Sequence, residues 1–120
     1  KLEFAGAYNP LLIVRDGGLI SIKGDRFPIG MATARERKFN NVKVDIQSGD
    51  ILYMFSDGYS DQFGGPEGKK FKMVNLKKEL LRISKLSMAG QKEELLKTLH
   101  EWMGGLSQID DILIIGTRVP

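Results

Sequence analysis

Three places in the sequence gather residue types that can do chemistry. The first is Ser56-Asp57-Gly58, directly after the apolar run Ile51 to Phe55. A carboxylate at the end of a buried strand stands on a rigid platform, and a glycine beside it lets other backbone approach closely. Taken alone, the Asp-Gly pair also reads as a plain turn. The second place is Asp110-Asp111, immediately before the apolar Ile112 to Ile115. Adjacent carboxylates repel, so keeping both calls for a nearby cation or hydrogen-bond donors, the alternative being a solvated turn before a strand. The third is the polar, glycine-rich stretch from Tyr59 to Pro66, readable as a flap over a site or as a surface connection in which Asp61 caps the next turn. If the two aspartate-bearing strand ends are antiparallel neighbours, they bring up to three carboxylates to one sheet edge. An oxygen-only ligand set selects hard cations such as Mg²⁺, Mn²⁺ or Ca²⁺ over zinc or copper.

Composition narrows the chemistry further. The 120 residues include no cysteine and a single histidine, His100, which excludes a disulfide framework, a thiolate zinc site and a cysteine nucleophile. The net charge of +3 is spread along the chain, and the densest basic run, Arg35 to Lys38, is interrupted by Glu36. That distribution lacks the one-sided footprint of a nucleic-acid binder. The apolar runs are too short to span a bilayer and no signal peptide opens the chain. The expectation is a cytoplasmic protein with neither nucleic-acid nor membrane contact from this segment. Its start at Lys1, one residue before a strand-like run, reads as a piece of a longer chain.

The elements that must position these residues follow from the apolar spacing. Leu2 to Tyr8, Leu11 to Val14 and Leu19 to Ile22 read as short strands, with Asp16-Gly17-Gly18 as a hairpin turn. Residues Gly24 to Asn41 form a long connection, and Val42, Val44 and Ile46 alternate as a half-buried strand. The unbroken run Ile51 to Phe55 predicts a central strand covered on both faces. Asn75 is placed to cap a helix with Leu76, Leu80, Leu81, Ile83 and Leu86 as its apolar stripe. A second helix runs from near Ser87 to Met103, with Leu95, Leu96, Leu99, Trp102 and Met103 inward and Gly104-Gly105 as its stop. Leu80, Leu96, Leu99 and Trp102 are expected against the sheet. Strand returns over Ile112 to Thr117, so the class is α+β, antiparallel sheets with two C-terminal helices.

The string Leu52-Tyr53-Met54-Phe55-Ser56-Asp57-Gly58, followed by Asp110-Asp111-Ile112-Leu113, resembles the PPM (PP2C-type) metal-dependent phosphatases, and within them the bacterial SpoIIE and RsbU branch. Phe4 to Leu12 is similar to that family's Ala-Gly-His-Pro strand and turn, with Asn9 where many relatives have histidine. Phe27-Pro28-Ile29-Gly30 is similar to its Pro-Leu-Gly segment. The family's earlier metal-bridging aspartate and its Asp-Gly-His/Met-Gly segment have no counterpart here. Residues 1 to 120 therefore resemble a single partial domain, the C-terminal portion of a SpoIIE-type catalytic domain.

The resemblance implies a PP2C-like β-sandwich with flanking helices and two Mn²⁺ or Mg²⁺ ions in the intact domain. It implies hydrolysis of phosphoserine or phosphothreonine on a bacterial regulatory protein such as an anti-sigma-factor antagonist. Carried over by position, Asp57 and Asp110 are catalytic ligands of one metal, Asp111 is a further ligand or an acceptor that orients metal-bound water, and Gly58 gives clearance beside the ion. Tyr59 and Phe63 are then expected contact points for the substrate protein. The segment alone is expected to be inactive, and the parent is compatible with a membrane tether through an N-terminal sensor. Two other classes stay open. One is a non-catalytic docking domain or homodimer that uses exposed strand edges; the other is a Ca²⁺ module, although the EF-hand spacing is missing.

Overall fold

At Asp16-Gly17 the backbone takes φ 49° and 75°, the positive pair a tight antiparallel hairpin needs, and the chain reverses there. The computed structural model describes residues 1–30 and 38–120. The turn joins β2 (Leu11–Arg15) to β3 (Gly18–Ile22). A four-stranded antiparallel sheet is ordered β3, β2, β5 (Ile51–Phe55) and β8 (Ile114–Arg118). A second, two-stranded sheet pairs β1 (Leu2–Phe4) with β4 (Val42–Val44), and Ile46 lies beyond its end. Residues 31–37, the middle of the long connection and all of the basic run except Lys38, lie outside the described residues.

Between β5 and β8 lie α1 (Gly58–Asp61), the two-residue strands β6 (Phe63–Gly64) and β7 (Lys69–Lys70), and the helices α2 (Met73–Ile83) and α3 (Met88–Met103). The core forms where one face of the sheet meets the helices. Leu12 and Val14 from β2 and Ile51, Tyr53 and Phe55 from β5 pack with Leu76, Leu80 and Ile83 of α2, Leu99 of α3, and Tyr59 and Phe71. Alternation along β5 explains its side chains: Ile51, Tyr53 and Phe55 are buried while Met54 is 48% exposed. The expectation of cover on both faces therefore fails for β5. It holds instead for its neighbour β2, where Leu11 and Ile13 are buried as well as Leu12 and Val14.

Helix α3 starts as the sequence reads, with the Ser87 hydroxyl accepting from the Gly90 N–H at 3.1 Å and Gly104 ending it at φ 55°. Helix α2 does not. Lys72 takes φ 76° and lets the helix begin at Met73, so Asn75 lies inside the first turn and its amide donates back to the Phe71 carbonyl at 2.6 Å. Leu86 falls past the end of α2, and Leu96 faces outward at 46% exposure, so neither packs against the sheet. Among the described residues no helix is long and apolar enough to cross a membrane.

Candidate metal centre

The antiparallel ladder between β5 and β8 runs to Phe55 opposite Ile114, and the Ser56 N–H extends it by donating to the Leu113 carbonyl at 3.0 Å. One residue past Ser56, beyond the end of β5, is Asp57; three and two residues before Leu113 are Asp110 and Asp111. Because β5 and β8 are antiparallel neighbours, the topology brings both aspartate-bearing segments to one edge of the sheet. The ordered strand begins at Ile114 rather than Ile112, so Asp110 and Asp111 sit in the irregular lead-in and are exposed.

Ser56 joins the two segments. Its hydroxyl donates to the Asp111 carbonyl at 2.9 Å and accepts from the Leu113 N–H at 3.0 Å. Gly58 is buried against the same backbone, where a Cβ would lie 2.8 Å from the Asp111 carbonyl carbon and 2.9 Å from Ile112 Cγ1. The glycine after the aspartate is therefore demanded by the close approach of the Asp111 segment. From the other side, the Asn9 amide donates to the Phe55 carbonyl at 3.1 Å and steadies the end of β5.

Asp57 occupies the N-cap of α1 but its side chain makes no capping bond, and the carboxylate is exposed. Its carbonyl accepts from the Asp61 N–H and from the Ser60 hydroxyl. Asp110 Oδ1 accepts from the Asp111 N–H at 2.7 Å, which leaves its other oxygen open. The donor chemistry, carboxylates without histidine or thiol, fits a hard divalent ion. It is a partial set: among the described residues no three or more His, Cys, Asp or Glu are gathered to hold a metal. His100 lies exposed on α3 and its carbonyl accepts the Gly104 N–H.

The stretch from Tyr59 to Pro66, readable as a flap or as a surface connection, is in part a packed wedge, with Tyr59, Ser60, Gln62 and Gly64 buried. Tyr59 is 2% exposed, its hydroxyl donates to the Leu95 carbonyl at 2.7 Å, and burial pushes its pKa well up, so it is not available as a substrate contact. Gln62 is fully buried; its side-chain amide nitrogen donates to the carbonyls of Phe63 and Ser107, and its backbone carbonyl accepts from the Trp102 indole at 2.9 Å. Gly64 packs directly on Trp102, where a Cβ would come within 2.7 Å of the indole Cδ1. Asp61 pairs with Lys70 at 3.5 Å rather than capping a turn. Phe63 alone of the expected contact residues keeps an exposed ring. Sequence reasoning missed the roles of Ser56, Asn9 and Gln62. For Ser56 the signal was its place beside Asp57; a glutamine in a polar loop carries none.

A groove of about 420 Å³ lies between α3 and β8, lined mainly by apolar side chains including Tyr53, Leu95, Leu96, Leu99, Leu113 and Ile114. Inside it the Tyr53 hydroxyl donates to Gln91 Oε1, and burial pushes the tyrosine up to about 12. No carboxylate lines the groove, so it is separate from the candidate ligands.

A protein-family model described as stage II sporulation protein E (SpoIIE) matches residues 1–120. Among solved structures, the SiaA-PP2C domain of Pseudomonas aeruginosa matches with a TM-score of 0.87 and 32% identity, over 98% of this chain and 46% of that one. The PP2C phosphatase domain of SpoIIE from Bacillus subtilis, solved with a fragment of its regulatory domain, shares the fold at a TM-score of 0.72 and 21% identity, over 98% of this chain and 33% of that one. The chain thus spans less than half the length of either structure. No curated protein matches it. With the family match running from end to end over an antiparallel α+β fold of PP2C type, this chain belongs to the SpoIIE family of PP2C-like phosphatase domains.

Proposed function

We propose that this chain contributes to a metal-dependent protein serine/threonine phosphatase, with a phosphorylated bacterial regulatory protein such as an anti-sigma-factor antagonist as substrate. The observation that carries this reading is the β5–β8 ladder, which delivers Asp57 and the Asp110-Asp111 pair to the same sheet edge. Asp57 and Asp110 hold a divalent ion, and Asp111 adds a ligand or orients water beside it. PP2C-type phosphatases are metal-dependent, and bound Mn²⁺ or Mg²⁺ supplies Lewis acidity that lowers the pKa of water and neutralises phosphoryl oxygens. The residues of this chain supply position and negative charge. None is a thiol, so no cysteine here attacks phosphorus. Because the ligand set is partial, the 120-residue chain by itself is expected to be inactive.

The test is Mn²⁺-dependent hydrolysis of a phosphoserine peptide by the full-length protein, beside Asp57→Asn and Asp110→Asn. Loss of activity in both variants, by 100-fold or more on the order of a removed electrostatic stabiliser, supports the assignment. Activity unchanged by either sinks it. That result would leave a docking domain as the better reading, in keeping with the outer edge of β8, which has no partner strand among the described residues.

A further inference from the structure

We propose that the Ser56 hydroxyl is a positioning group for the divalent-ion site, a clasp that sets where the Asp110-Asp111 segment lies relative to Asp57. The inference rests on the phosphatase reading above. Regular pairing between β5 and β8 ends at Phe55 and Ile114, with one further backbone bond from the Ser56 N–H to the Leu113 carbonyl. Beyond it, the chain carrying Asp110 and Asp111 is exposed and irregular. Among the described residues Asp110 bonds only within its own loop, to the Asp111 N–H through its side chain and to the Gln108 amide through its carbonyl. These local bonds shape the loop without tying it to β5.

Ser56 makes that tie. The hydroxyl spends its proton on the Asp111 carbonyl and a lone pair on the Leu113 N–H, bracketing Ile112 between two bonds to one oxygen. Gly58 closes the other side of the Asp111 carbonyl by contact alone. Contact limits how near the segment can come, whereas the hydroxyl limits how far it can leave. Since Ser56 immediately precedes Asp57, one residue orders both halves of the proposed ligand set. Groups that orient ligands in this way typically change metal affinity by about 10- to 100-fold when removed.

The pair Ser56→Thr and Ser56→Val separates the hydroxyl from the bulk around it, since the two replacements have nearly the same shape. In the full-length protein, free Mn²⁺ would be followed by electron paramagnetic resonance, and the Leu113 amide by hydrogen exchange without metal. Ser56→Thr is expected to keep wild-type Mn²⁺ affinity. Ser56→Val is expected to weaken it by on the order of tenfold or more and to speed exchange at Leu113, with far-ultraviolet circular dichroism unchanged. Faster exchange in Ser56→Val with Mn²⁺ affinity equal to that of Ser56→Thr would overturn the proposal, because the clasp would then be structural only. Asp57→Asn is the control that tells the two failures apart. If it weakens Mn²⁺ binding while Ser56→Val does not, only the clasp falls; if it also leaves binding unchanged, the metal site and the clasp fall together.

Discussion

Gly58 shows how one missing side chain shapes the site. It is buried against the Asp111 carbonyl, so Gly58→Ala must push the two aspartate segments apart or strain the start of α1. Overpacking of this kind costs about 1–3 kcal/mol, readable as a lower urea midpoint. A fully neutral Gly58→Ala would mean that the Asp111 segment yields freely. Asp50 carries a different kind of constraint. It is 2% exposed and takes a two-pronged grip from Arg15, at 2.9 Å and 2.6 Å, with a third bond from the Gln47 N–H. The Arg15 guanidinium holds the Asp50 carboxyl below its usual range, against the upward push of burial. A depressed carboxylate stabilises the fold above its unfolded pKa and loses that contribution as pH falls through the folded value. Asp50→Asn should therefore be less stable than wild type at neutral pH, with the gap closing below about pH 4. A gap that stays constant down to acid would show that the ion pair contributes nothing. Nothing in the composition marks Asp50 as buried: in Ser48-Gly49-Asp50 it reads as a turn residue, and only the fold reveals that Arg15 reaches it.

At the level of elements, period and turn chemistry carried most of the fold, and their failures have physical reasons. The hairpin at Asp16-Gly17 and the start of α3 at Ser87 were legible because both depend on local chemistry, positive φ and an N-cap hydroxyl. Strand β5 was legible in extent but not in cover, since an apolar run does not say which face another layer occupies. The start of α2 was hidden because a lysine at φ 76° is an uncommon helix entry. The stretch after Asp57 looked like a loop because its burial depends on contacts made by residues far along the chain, Leu95, Trp102 and Ser107. The two candidate ligand segments lie on antiparallel neighbours, the arrangement on which their meeting depends, whereas the bonds made by the hydroxyl between them are visible only in space. Leu80, fully buried on α2, should lose about 2–5 kcal/mol on replacement by Ala. Leu96→Ala, on the exposed side of α3, should stay within about 1 kcal/mol. Equal losses in chemical denaturation would contradict the orientation of α3. Trp102, edge-on to Phe71 at 5.4 Å, pins α3 to the wedge, so Trp102→Ala should cost about 3 kcal/mol and Trp102→Phe only about 1 kcal/mol for the lost indole bond.

Across the whole molecule, surface is plentiful for the mass. The accessible area is 8022 Å², against about 6,500 Å² expected for a compact monomer of this size. Ile115 of β8 lies opposite Met54 of β5, and both side chains are 48% exposed on the face of the sheet turned away from the helices. Ile115→Thr should accordingly leave stability within about 0.5 kcal/mol while reducing light scattering by concentrated protein. A large loss of stability would place Ile115 in a packed environment. The Ser56–Asp111 bond spans 55 residues of sequence, and the intervening chain is a closed excursion of helices and short strands. Closure entropy grows only with the logarithm of such a length, so a few residues added between α2 and α3 add less than about 0.1 kcal/mol to the cost of closing it. A single residue added within β5 would instead turn its alternation over. The excursion also orders events in time. On the proposed reading, Asp57 meets the second segment only once β8 has zipped onto β5 across this excursion, so ion capture would follow that long-range pairing, and divalent ions present from the start of refolding should stabilise the end state without hastening its arrival.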